Sequence, residues 1–123
     1  MFTRVKTAAE IEAMRHGGKI LGETLRAVAK EVKSGITTKD LARVAEASLR
    51  AAKVKPAFFG YNGFPDVICI SVNDAVVHGI PDSLVLQDGD IVSIDGGVLL
   101  EGWYADAART YAVGDVDAVS EVL

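Results

Sequence analysis

Three side chains in this 123-residue sequence are candidates for chemistry: Asp95 and Asp106, whose spacing suits a pair of metal-holding carboxylates, and His78. Aspartate is disfavoured inside strands, yet both aspartates fall in two long strand-like stretches, 90–100 and 103–113, separated by Glu101-Gly102. If those two residues form the hairpin turn, Leu100 faces Trp103, Gly97 faces Asp106 and Asp95 faces Ala108. Asp95 and Asp106 are then diagonal neighbours on one sheet face, with Cα atoms about 7–8 Å apart. Carboxylates so placed can hold two divalent cations about 3.5–4 Å apart, an arrangement that activates a water and polarises a carbonyl. Gly96 and Gly97 would leave room there for a substrate backbone. The same pattern also fits an exposed sheet face, or edge carboxylates that deter aggregation. Geometry alone leaves both readings open, and a three-residue loop would throw Asp106 to the other face.

His78 sits in a His-Gly-Ile-Pro stretch that reads as a loop, where proline and glycine favour rigid presentation; a lone loop histidine is more commonly a surface residue. His16 points to solvent from a helix, and Cys69 lies in an apolar run and reads as packing. The aromatics between Phe58 and Phe64 either line an apolar pocket or cover a core edge.

The elements that must position these residues are well punctuated. Thr7-Ala8-Ala9-Glu10 has the form of a capping box. It is followed by a stripe of Ile11, Met14, Gly18, Leu21, Leu25, Val28 and Val32, with Gly18 marking close approach by a neighbour and Ser34-Gly35 the stop. A second helix is expected from Thr37, with Asp40 in its third position, an inner face of Leu41, Val44, Ala45, Ser48, Leu49 and Ala52, and an end before Lys55-Pro56. The run 67–72 reads as a strand buried on both faces. Asn73-Asp74 should turn the chain into a short strand at 75–77, and Gln87-Asp88-Gly89 forms another turn. Two helices packed on an antiparallel sheet make an α+β fold, organised as a single domain over residues 1–123.

Composition narrows the function classes. Half the residues are apolar and 24% are charged, which excludes disorder. A net charge of −4 from 13 basic and 17 acidic residues argues against a nucleic-acid partner. No apolar run approaches the roughly 18–20 residues that span a bilayer, so no membrane partner is expected. The N-terminal stretch Met1–Lys6 lacks a secretory core, and the single cysteine fits a reducing, cytoplasmic setting.

Taken together, several segments resemble the type I methionine aminopeptidases. They are Val67-Ile68-Cys69-Ile70-Ser71-Val72-Asn73-Asp74 running into Val76-Val77-His78-Gly79-Ile80-Pro81, and Asp88-Gly89-Asp90-Ile91-Val92-Ser93-Ile94-Asp95 followed by Asp106. The opening Lys6–Arg15 is similar to the start of the same catalytic domain. The resemblance implies half of a pita-bread fold and removal of the N-terminal methionine of polypeptides by a centre of two divalent ions (Co, Mn, Fe or Zn). It implies that Asp95 bridges the metals, that Asp106 is a second aspartate ligand, and that His78 contacts the scissile amide and helps stabilise the transition state. Phe58, Tyr61, Asn62 and Phe64 fall where the family lines its methionine pocket, though some members carry Cys and His in place of Phe58 and Asn62. The family's remaining ligands, one histidine and two glutamates, come from a second half, whereas this sequence has no histidine after His78 and only Glu121 after Asp106. The expectation is therefore a half-domain that binds metal weakly and has little activity alone. A catalytically silent half-domain that self-associates, and an aminopeptidase P or prolidase relative, are the alternatives; the Val77–Pro81 run argues against the latter. An open sheet presenting Ile91, Val98 and Leu99 further suggests a homodimer.

Overall fold

Both major helices begin where the sequence punctuates them. In the computed structural model, which describes residues 3–122, α1 spans Ala8–Lys30 and α2 spans Thr38–Ala51. Met1, Phe2 and Leu123 lie outside the described residues, and with them the first two positions of the N-terminal stretch considered above. The Thr7 hydroxyl accepts from the Glu10 N–H at 3.3 Å, and the Glu10 carboxylate accepts from the Thr7 N–H at 2.8 Å. Thr37 and Asp40 repeat the box at the start of α2. These reciprocal bonds satisfy amides that have no partner within the helix.

The expected inner stripe of α1 holds at Leu21, Leu25 and Val28, but Gly17 rather than Gly18 is the glycine that meets the sheet. A stripe spaced by alternating threes and fours repeats every 3.5 residues, while the helix turns every 3.6. Over several turns the two drift apart: Gly17 lies about 20° from Val28 around the axis, and Gly18 about 80°. Ile11, further along the same drift, is 45% exposed. The helix also ends earlier than expected, capped at Glu31, and Gly35 (φ +93°) instead turns the linker so that its N–H donates to Leu86 O at 2.8 Å. In α2, Leu41, Ala45 and Leu49 are buried as expected, together with Ala42, whereas Ala52 is exposed beyond the helix end.

The sheet is antiparallel throughout and centred on β3, Ile91–Leu100. Along its full length β3 pairs with β4, Trp103–Ala112. Its other edge is shared by β2, Ile68–Val72, and by β1, a two-residue strand at Lys55–Pro56 where the sequence predicts only the end of a helix. Glu101 (φ +52°) and Gly102 (φ +82°) both take the left-handed conformation, as a two-residue hairpin turn with matching twist requires. The strand expected at 75–77 is absent. Asn73 turns the chain (φ +54°), but the edge of β2 is taken by a single backbone bond, Ile70 N–H to Gly79 O at 3.0 Å, which leaves Val76 80% exposed.

Both helices cover one face of this sheet, and the core lies between them, with Leu21, Val28, Leu41, Ile68, Val92, Ile94 and Val98 almost fully enclosed. Val98 is therefore no part of an open apolar surface, and Ile91 and Leu99 are half-buried. A short helix, α3 (Ala118–Val122), follows β4. Among the described residues no helix is long and apolar enough to cross a membrane.

Candidate functional site

The hairpin register is the expected one: Leu100 pairs with Trp103, Gly97 with Asp106 and Asp95 with Ala108. Because side chains alternate across a strand, Val92, Ile94 and Val98 enter the core while Asp95 points to the opposite face. Asp106, diagonal to Asp95, shares that face. Asp95 is half-buried and its Oδ1 has no hydrogen-bond partner among the described residues. Burial pushes the Asp95 carboxyl above its ordinary value; the neighbouring Asp106 carboxylate pushes in the same direction, and His78 partly opposes them. An unpartnered, desolvated carboxylate oxygen beside a like charge is a setting that a bound cation would stabilise.

The β2 residue paired with Asp95 is Cys69. Burial first, and the charges of Asp95 and Asp106 second, push its thiol up to about 11, so it remains a neutral, apolar wall of the site. His78 comes from the loop after β2 and holds a left-handed backbone conformation (φ +59°) that is uncommon for a residue with a Cβ. Its neighbour is what fixes it. A Cβ on Gly79 would stand 2.0 Å from Ile70 O, and the Gly79 N–H donates to the buried Ser71 Oγ at 3.0 Å. Only glycine fits that close to the strand, so the loop is pinned and the histidine is held above the sheet.

One cavity of about 430 Å³ brings together every candidate named from the sequence: Phe58, Tyr61, Asn62, Phe64, His78, Asp95 and Asp106. Cys69 and Ile80 also line it. Cys69 was missed as a site residue because an apolar run hides which of its members faces outward; the pairing of Cys69 with Asp95 is the signal that could have revealed it. The aromatic loop is shaped by a single 3₁₀ turn, Tyr61–Gly63, with left-handed Gly60 and Gly63 at its ends. Phe58 and Phe64 meet edge to face, ring centroids 6.5 Å apart. The two strand glycines do not open space for a substrate, contrary to expectation. The place of a Gly96 side chain is filled by Leu21, Leu25 and Ile68 from the core, and that of Gly97 by Phe58 and Ala57.

Among the described residues no three His, Cys, Asp or Glu side chains cluster as a complete metal site. What the chain offers is a two-carboxylate donor set of hard oxygens, one of them buried without a partner. Divalent cations fit that chemistry.

The family model of metallopeptidase family M24 matches residues 12–123. The chain belongs to metallopeptidase family M24. Its relatives include the methionine aminopeptidase of Clostridium perfringens, 50% identical over 119 residues covering 97% of this chain and 48% of the relative. Methionine aminopeptidase 1 of Bacillus subtilis is 48% identical over 111 residues, 90% of this chain and 45% of that protein. Among solved structures, methionine aminopeptidase from Rickettsia prowazekii superposes with a TM-score of 0.96 at 39% identity, over 99% of this chain and 49% of that one. Prolidase from Pyrococcus furiosus shares the fold less closely, with a TM-score of 0.83 at 24% identity. The M24 chain thus has half a pita-bread architecture and spans about half the length of the curated relatives it matches.

Proposed function

We propose that this M24 chain carries the N-terminal half of the active site of a metal-dependent methionine aminopeptidase, acting on the N-terminal methionine of polypeptides in the cytoplasm. The convergence of Asp95, Asp106, His78 and the aromatic loop on one cavity supports this reading most strongly. Asp95 would bridge two divalent ions (Co, Mn, Fe or Zn), and Asp106 would hold one of them. When bound, such ions polarise a carbonyl and lower the pKa of a bound water. The chain's own residues do the rest. Asp95, with its orphaned oxygen, and Asp106, which repels it, would together hold such a cation. His78, held rigidly by Gly79, would hydrogen-bond the scissile amide as charge develops on it. Phe58, Tyr61 and Phe64 offer an apolar, polarisable lining suited to a thioether, and Asn62 closes the turn beside them.

Relatives twice as long supply a second half, so the chain alone should cleave Met-Ala-Ser with added Mn²⁺ or Co²⁺ little or not at all. Joined to a segment that provides one histidine and two glutamates, it should gain turnover that His78→Ala and Asp95→Ala each reduce to background. Turnover in the joined protein that survives both substitutions would contradict the assignment.

A second reading concerns the chain by itself. No strand covers the outer edge of β4 among the described residues, and Tyr104 on it is 63% exposed. A free strand edge is a template for pairing, and two copies related by a two-fold axis would mimic the two halves of the fold. Sedimentation velocity at about 50 µM is expected to show a dimer; a clean monomer with β4 amides protected from exchange would rule it out.

A further inference from the structure

We infer that Gly97 sets the shape of the apolar pocket, and thereby which N-terminal side chain it accepts; this rests on reading that pocket as the methionine site. A Cβ on Gly97 would stand 2.7 Å from Phe58 Cε1, and 3.2 Å from both Phe58 Cδ1 and Ala57 Cβ. The φ of Gly97 lies outside the left-handed region, so backbone conformation does not demand glycine here. The ring does. Phe58 occupies the volume that any side chain at position 97 would need.

The ring is also held from two other directions. The Ala57 N–H donates to Gly97 O at 2.9 Å, tying the backbone beside Phe58 to β3. Phe64 meets Phe58 edge to face, at an interplanar angle of 90°. With its backbone bonded to the strand, a ring displaced by a methyl at 97 moves toward the cavity it lines. Gly97 also pairs with Asp106 and lies two residues from Asp95, so the strand that presents the carboxylates also seats the pocket wall. Phe58 and Gly97 therefore form a matched pair, in which a larger residue at 97 requires a smaller one at 58.

The test uses the isotopically labelled 123-residue chain, titrated by NMR with L-methioninamide, L-alaninamide and L-phenylalaninamide. Methioninamide is expected to shift signals of Tyr61, Phe64 and Cys69 and to bind more tightly than alaninamide. Gly97→Ala should lower that preference about tenfold, the scale of one misfitted methylene in an apolar pocket, and Gly97→Ala combined with Phe58→Leu should restore it. Phe58→Leu alone should raise the relative affinity for phenylalaninamide, which provides a test even if Gly97→Ala fails to fold. Unchanged preferences in folded Gly97→Ala and in Phe58→Leu would overturn the inference while leaving the pocket reading intact. A wild-type chain whose pocket signals ignore methioninamide would overturn the pocket reading, and the selectivity role of Gly97 with it.

Discussion

The two faces of β3 carry opposite kinds of residue within a single ten-residue strand. On the helix-covered face, Val92, Ile94 and Val98 are fully enclosed, and the place of a side chain at Gly96 is filled by Leu21 and Leu25. On the other face, Asp95 lies between Cys69 and Ala108, and Ser93 shares a 2.7 Å hydrogen bond with Thr110. One face is packed to exclude water; the other carries small and polar groups in its middle, between half-buried Ile91 and Leu99, and includes a buried oxygen with no partner. The contrast separates stability from chemistry. Packing on the first face fixes the register, and the register then brings two like charges together on the second.

Breaking the covered face should have the largest effect. Ile94→Ala is expected to cost about 3–4 kcal/mol in a chemical denaturation series, as truncation of a fully buried side chain usually does. Its neighbour should behave oppositely. Asp95→Asn removes a desolvated charge from beside Asp106, so its stability should stay within about 1 kcal/mol of wild type, on the side of a gain. Similar losses at the two positions would show that the faces are not divided in this way.

The smallest effect lies far from both faces, at the start of α1. Hydrogen bonds from Arg4 and then from the Thr7 N–H hold the Glu10 carboxyl at about 2, well below its ordinary 4.5. A lowered carboxyl pKa in the folded state means stabilisation that is full above the ordinary value and is lost as pH falls toward the folded one. Fraying of the first turn of α1, followed by amide NMR, is therefore expected between about pH 4.5 and 2 and should be absent from Glu10→Gln. A pH-independent first turn in the wild-type chain would show that the box contributes nothing there.

Much of this was legible in the sequence because it is local. Capping boxes at Thr7 and Thr37, the Glu101-Gly102 turn and the resulting pairing of Gly97 with Asp106 follow from residues a few positions apart. What escaped depends on contacts between distant segments. The Val76-Val77 stretch has strand-like side chains, but Gly79 reaches the edge of β2 instead, an approach set by Ile70 and Ser71. The second helix does end before Lys55-Pro56, at Ala51, but left-handed Lys53 (φ +57°) turns the chain there, and Lys55-Pro56 pairs with Leu99 and Val98 from a distant part of the sequence. Between α1 and α2 the enclosed Thr24 hydroxyl meets Ser48 at 2.9 Å, a polar contact that no apolar stripe announces. At the site, the residues named from the sequence line one cavity, but the glycines escaped, since only the fold shows that the ring of Phe58 fills the space beside Gly97.

The central claim is that Asp95 and Asp106 form one cation site and not two unrelated carboxylates on an exposed sheet face. Calorimetric titration of the wild-type chain with Mn²⁺, beside Asp106→Asn, tests it directly. Weak but measurable binding that falls sharply in Asp106→Asn, with the fold unchanged, is the predicted result. An identical isotherm in the variant would contradict the shared site and leave Asp95 and Asp106 as neighbours without a common function.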